Sequence, residues 1–152
     1  MHFDRELSAY LKLLATRPQT VAYGLTDSPV GQLAWIMEKY WDWTDSDTVP
    51  EDAVSRDLML ANISVYWFTA TAGSSARLAN ESPRGKVLCP VPIAVVVLPY
   101  DILQSVRPLA EQDYDIVHWT EFDHGGHFAG LEVPGLLAAD IGDFFGPLGA
   151  RS

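Results

Sequence analysis

At 152 residues, 48% of them apolar and 11% aromatic, the chain has the length and composition of one globular domain, able to bury about two thirds of its unfolded surface. Ten basic residues against twenty acidic ones give a net charge of -10, which disfavours nucleic acid and anionic membrane surfaces as partners. The single Cys89 excludes an internal disulfide framework and a thiol cluster for zinc. The start Met1-His2-Phe3-Asp4-Arg5 lacks the apolar core of a signal peptide, and no apolar run approaches the ~18 residues of a membrane span, so a cytoplasmic setting is expected.

Taken in order, Asp4 to Leu14 carries Leu7, Tyr10, Leu11 and Leu14 at three-four spacing and predicts a short helix closed by Thr16-Arg17-Pro18. Gln19 to Leu25 leads to Asp27-Ser28-Pro29, where Asp27 or Ser28 caps a helix from Pro29 to Trp41. Val30, Leu33, Ala34, Met37 and Trp41 mark its apolar face. The acidic stretch Asp42 to Asp57 reads as a solvated loop; its carboxylates lack the spacing and turn glycine of an EF-hand. Ser55 to Asp57 offers the next cap, and Leu58 to Asn80 predicts a long, nearly all-round apolar helical region that Gly73-Ser74-Ser75 loosens midway.

Glu81 to Lys86 is a polar turn. Cys89, at a strand entrance, reads as a buried structural thiol. Val91 to Leu98 is the most continuous β-branched run, the pattern of a parallel strand covered on both faces. Pro99-Tyr100-Asp101 ends it, Ser105 to Gln112 forms a crossover, Asp115 to Thr120 a second strand, and Phe128 onward an amphipathic helix whose main body is Pro134 to Phe145. Strand, crossover, strand and helix make a βαβα unit. Between the second strand and the helix lies Asp123-His124-Gly125-Gly126-His127, which places His127 beyond a strand's carboxyl end, where ligands and catalytic groups of open α/β sheets gather. Asp101 occupies the same place after the preceding strand. A carboxylate beside a histidine there can fix the imidazole tautomer and stabilise the imidazolium; unrelated, exposed loop residues are the plainer alternative. His118 is expected between strand and helix, and His124 in solvent. A metal held by the clustered histidines is not expected.

Several segments together resemble one family. Asp27-Ser28-Pro29-Val30-Gly31 through Glu38-Lys39, Tyr66-Trp67-Phe68-Thr69 with Gly73-Ser74-Ser75-Ala76-Arg77, Leu98-Pro99-Tyr100-Asp101 and Gly125-Gly126-His127-Phe128-Ala129 are similar, in correct order, to the carboxyl-terminal half of microsomal-type epoxide hydrolases of the α/β-hydrolase fold. The resemblance spans residues 7 to 146. It implies a partial α/β-hydrolase fold: residues 1–86 a helical lid segment with lid-to-core helices, residues 87–152 the last two parallel strands and their helices. It implies that His127 is the general base hydrolysing a covalent ester and that Asp101 orients it, although the family more often has Glu there. It further implies that Tyr66, and on weaker flanking residues Tyr10, hold the oxygen of a small-molecule epoxide as the ring opens. Each tyrosine also reads as helix-face core. No cofactor is implied.

The family's nucleophilic Asp on a strand-to-helix elbow and its upstream His-Gly-x-Pro oxyanion motif are not in this sequence. Asp27 follows no strand and reads as a helix cap. The resemblance thus implies a chain inactive by itself, its first strand left with an unpaired edge, and expected to be either a marginal domain or one component that needs a second chain supplying the amino-terminal half. A non-catalytic remnant or interaction module, and part of another α/β-hydrolase such as a haloalkane dehalogenase or an esterase, stand as alternatives.

Overall fold

The computed structural model describes residues 7–82, 85 and 89–149. Residues 1–6, which include the expected helix start at Asp4, and much of the Glu81 to Lys86 turn lie outside the described residues. The chain forms two compact units, one from Met1–Asp42 with Val54–Gly85, the other from Trp43–Ala53 with Lys86–Ser152.

The first unit is helical: α1 (Ala9–Thr16), α2 (Pro18–Asp27), α3 (Pro29–Trp43, whose last residue belongs to the second unit), α4 (Arg56–Phe68) and α5 (Ala72–Glu81). Gln19 to Leu25 is thus the body of a helix, with Pro18 at its first turn, where no backbone donor is lost. Ser28, rather than Asp27, caps α3: its Oγ accepts the Gly31 N–H at 3.0 Å, while Asp27 ends α2. Ser55 caps α4 by accepting the Leu58 N–H. Small side chains let α2 and α5 approach, with Ala22, Ala72 and Ala76 buried beside Leu25. The inward side of α3 differs from the face its periodicity predicts. Val30 and Trp41 are exposed, whereas Tyr40, Gln32 and Lys39 are buried. Lys39 buries its aliphatic stem, sets its ammonium 4.0 Å from the centre of the Tyr10 ring and pairs with Glu38.

The long region predicted from Leu58 to Asn80 breaks at Phe68, ahead of Gly73. Ala70 takes φ +54°, the Thr71 N–H donates to the Tyr66 carbonyl and the Ala70 N–H to the Trp67 carbonyl. This is a Schellman closure with alanine where glycine is usual.

The second unit holds β1 (Ile93–Val97), α6 (Arg107–Ala110), β2 (Ile116–Glu121), α7 (Ala129–Glu132) and α8 (Pro134–Gly149), with a 3-10 turn at Pro50–Asp52. β1 and β2 pair in parallel, Ala94 opposite His118 and Val97 opposite Glu121. The predicted helix from Phe128 is interrupted at Val133, where Pro134 opens α8. β1 is half-buried throughout, and among the described residues it pairs only with β2. Cys89 is half-buried, short of the buried thiol expected. Among the described residues no helix is long and apolar enough to cross a membrane.

Alternation along β2 separates two environments. Trp119 and Glu121 share one face, where the indole N–H donates to the Glu121 carboxylate at 2.9 Å and the Arg107 guanidinium lies 5.8 Å from the ring centre. On the other, His118 Nε2 sits 2.8 Å and Thr120 Oγ1 2.5 Å from Oδ1 of buried Asp140 on α8. Burial pushes the Asp140 carboxyl up; the hydrogen bonds from Thr120 and His118 outweigh it and hold the group below its ordinary 3.8. A carboxylate lowered by folding adds stability above that ordinary value and loses it as pH falls through the folded one. Asp140→Ala should therefore lower stability at pH 7 by about 1–3 kcal/mol, with a difference in urea midpoint between the two chains that narrows below the carboxylate's ordinary range.

Candidate active site

Because β1 and β2 are parallel, both backbones leave the sheet at the same edge. The Tyr100 N–H donates to the Gly125 carbonyl at 3.2 Å, adding a parallel bridge between Tyr100 and Gly126 beyond the strands themselves. One residue on from each side, Asp101 meets His127, with Nδ1 2.7 Å from Oδ1. The same oxygen accepts the Ile102 N–H at 2.7 Å. An ionised carboxylate can only accept, so the imidazole carries its hydrogen on Nδ1 and Nε2 keeps the lone pair that takes a proton. The side chains are 40% and 31% exposed, so the pair is open to solvent.

Close approach of backbones shapes the turn. Gly125 has φ +100°, and a methyl group on it would lie 2.8 Å from the Leu98 side chain. One on Gly126 would collide with the Trp43 carbonyl and lie 2.9 Å from the Asp45 nitrogen. That carbonyl accepts the His127 N–H at 2.8 Å. The Trp43 ring meets the imidazole edge to face at 5.0 Å and stacks with Phe128 at 6.2 Å. Asp45 Oδ2 accepts the Gly125 N–H at 2.7 Å, and Glu132 accepts the N–H groups of Gly126, Phe128 and Asp45.

Tyr66 and Tyr10 lie in the first unit. Tyr66, half-buried on α4, neighbours fully buried Tyr40. Burial raises the Tyr40 hydroxyl, the Asn62 amide bonded to it at 2.8 Å opposes this, and the charge of Tyr66 adds to the rise. Tyr10, under the Lys39 ammonium, is likewise raised by burial. The structure thus joins His127 to Asp101 in one unit and holds both tyrosines in the other. His118 pairs with Asp140, and His124 is exposed beside Asp123. Among the described residues no group of three or more potential ligands is placed to hold a metal ion.

No protein-family model matches the chain. A putative epoxide hydrolase of Stigmatella aurantiaca is 45% identical over 98% of this chain and 35% of its own length. Epoxide hydrolase 1 of Oryctolagus cuniculus is 35% identical over 91% of the chain and 34% of its own. The solved juvenile hormone epoxide hydrolase of the silkworm Bombyx mori superposes with a TM-score of 0.83 at 31% identity, over 93% of this chain and 40% of that one. The chain belongs to the epoxide hydrolase family. Aspergillus niger epoxide hydrolase superposes with a TM-score of 0.80 at 28% identity, over 96% of this chain and 37% of that one. The partial α/β-hydrolase fold and the resemblance to the carboxyl-terminal half of such enzymes are both borne out, and the chain spans about a third of the length of the curated relatives it matches.

Within this site, sequence reading overlooks Trp43, Asp45 and Glu132. The segment it takes for a solvated loop contains buried Trp43, Thr44 and Pro50, and it moors the His127 turn. Its partners lie 80 and 87 residues away, beyond any local pattern; the one signal was a large indole set in an acidic loop. Gly126→Ala should lower stability by about 1–3 kcal/mol in urea unfolding through overpacking. Gly130→Ala in α7, where an added methyl meets nothing within 4 Å, should be neutral or slightly stabilising.

Proposed function

We propose that this chain carries the base side of an epoxide hydrolase, which converts a small-molecule epoxide to a vicinal diol through a covalent ester. An aspartate of the amino-terminal half of the fold attacks a ring carbon, the carbon–oxygen bond breaks, and Tyr66 and Tyr10 hydrogen-bond the leaving oxygen, one of them protonating it. His127 Nε2 then takes a proton from water as the water oxygen attacks the ester carbonyl carbon. The ester bond breaks, the imidazolium returns its proton to the departing alkoxide, and the second water proton passes from the carboxyl group to the tyrosinate, which regenerates the aspartate and the tyrosine as the diol leaves. Asp101 holds the imidazole through Nδ1–H and stabilises its charged form. No cofactor takes part.

The observation that carries this reading is the 2.7 Å contact of His127 with Asp101 at the ends of adjacent parallel strands, the arrangement of an oriented base. The names of the relatives supply the substrate class. The need for the amino-terminal half of the fold is supported by the span of this chain, about a third of its relatives' length, and by the exposure of Val91 and Val117 beside and within a two-stranded sheet.

Mixing the chain with a polypeptide that supplies the amino-terminal half, and following diol formation from a panel of epoxides, tests the proposal. Turnover should need both components, and His127→Ala should lower kcat/KM by about 10²–10⁴-fold. A folded complex without turnover, or His127→Ala with unchanged turnover, would contradict it; turnover of haloalkanes or esters in place of epoxides would assign the pair to a different hydrolase chemistry.

A further inference from the structure

The turn that carries His127 is held from both sides by one carboxylate, and we propose that Glu132 is a positioning residue of the His127–Asp101 pair. Its Oε2 accepts the Gly126 N–H at 3.0 Å and its Oε1 the Phe128 N–H at 2.9 Å, so the residues before and after His127 bond to the same group. Oε2 also accepts the Asp45 N–H at 2.8 Å. The intervening His127 N–H goes to the Trp43 carbonyl, and the Gly125 N–H to the Asp45 carboxylate. Four successive backbone donors are thereby committed, three of them to ionised oxygens, whose hydrogen bonds are roughly twice as strong as neutral ones. With the peptide planes on either side fixed, the backbone angles of His127 are fixed, and its ring is aimed at Asp101.

A plainer role for Glu132 is helix capping, since Phe128 precedes α7 and a carboxylate on its N–H is what a capping glutamate provides. Capping accounts for the bond to Phe128 alone. Gly126 and Asp45 lie outside the helix, and Asp45 is 87 residues distant in sequence. The same carboxylate therefore ties the strap at Trp43–Asp45 to the turn and sets the imidazole between them. A shift of about 1 Å in such a group is enough to cost 10²-fold in rate.

This inference rests on the proposed role of the pair, but its test reads the ring itself and requires no turnover, so the two can fail separately. Histidine side-chain nitrogen NMR of the full 152-residue chain, at a pH where imidazole is neutral, reports which ring nitrogen bears the hydrogen. His127 should be an Nδ1–H form in the wild type. Glu132→Gln removes the charge and one acceptor; Glu132→Asp keeps the charge but is a methylene shorter. Both should convert His127 to a mixture of tautomers like that in Asp101→Asn, while His118 keeps its Nε2–H on Asp140. Retention of the pure Nδ1–H form in both variants overturns the proposal. Loss of the His118 signature together with that of His127 in both also overturns it, because Glu132 would then support the whole unit rather than aim one ring.

Discussion

The parallel pairing of β1 with β2 is the constraint on which the rest depends. It makes both strands end at one edge, and the bond from Tyr100 to Gly125 carries the pairing past the sheet into the two loops. Without that lateral tie, Asp101 and His127 would be two loop residues with no fixed relation. Register matters in the same way. Side chains alternate between faces, so a one-residue slip of β2 would exchange His118 and Thr120, which bond Asp140 of α8, for Trp119 and Glu121. The pairing of His118 and Thr120 with buried Asp140 therefore pins the strand whose end delivers the imidazole.

The acidic character of the chain gains a structural meaning here. With twice as many acids as bases, the carboxylates outnumber the cations, and several accept backbone N–H groups. Asp52 binds those of Val49 and Thr48, which hold its carboxyl below the usual range. Asp101 binds Ile102, Asp45 binds Gly125, and Glu132 binds three at once. Such bonds organise irregular backbone where neither helix nor strand can satisfy it. The two glycines complete the arrangement, since a side chain at either would collide with what the carboxylates draw close.

Much of this could be read directly. The β-branched run Val91 to Leu98 and the serines ahead of α3 and α4 announce their elements through local chemistry, and a histidine and an aspartate beyond successive strand ends foreshadow a pair. What escaped depends on distant partners. The strap from Trp43 to Ala53 looks solvated because the partners of Asp45, Gly125 for its carboxylate and Glu132 for its N–H, lie 80 and 87 positions away. Helix α4 ends at Phe68 and is closed by Ala70, in a backbone conformation that alanine rarely adopts, rather than at the glycine that local propensity points to. The buried side of α3 centres on Tyr40 and the stem of Lys39, whereas periodicity alone favours Val30 and Trp41, because neighbouring helices decide which side is covered.

The central claim is that His127 hydrolyses an ester it did not form, and mass spectrometry of a stalled reaction tests it most directly. In an assembly reconstituted with the missing half, His127→Ala should still open the epoxide and then halt. The partner polypeptide should gain the mass of one epoxide as a stable adduct on its aspartate, while the wild-type assembly should show no lasting adduct. A His127→Ala assembly that releases diol at the wild-type rate with no accumulated adduct would contradict the account.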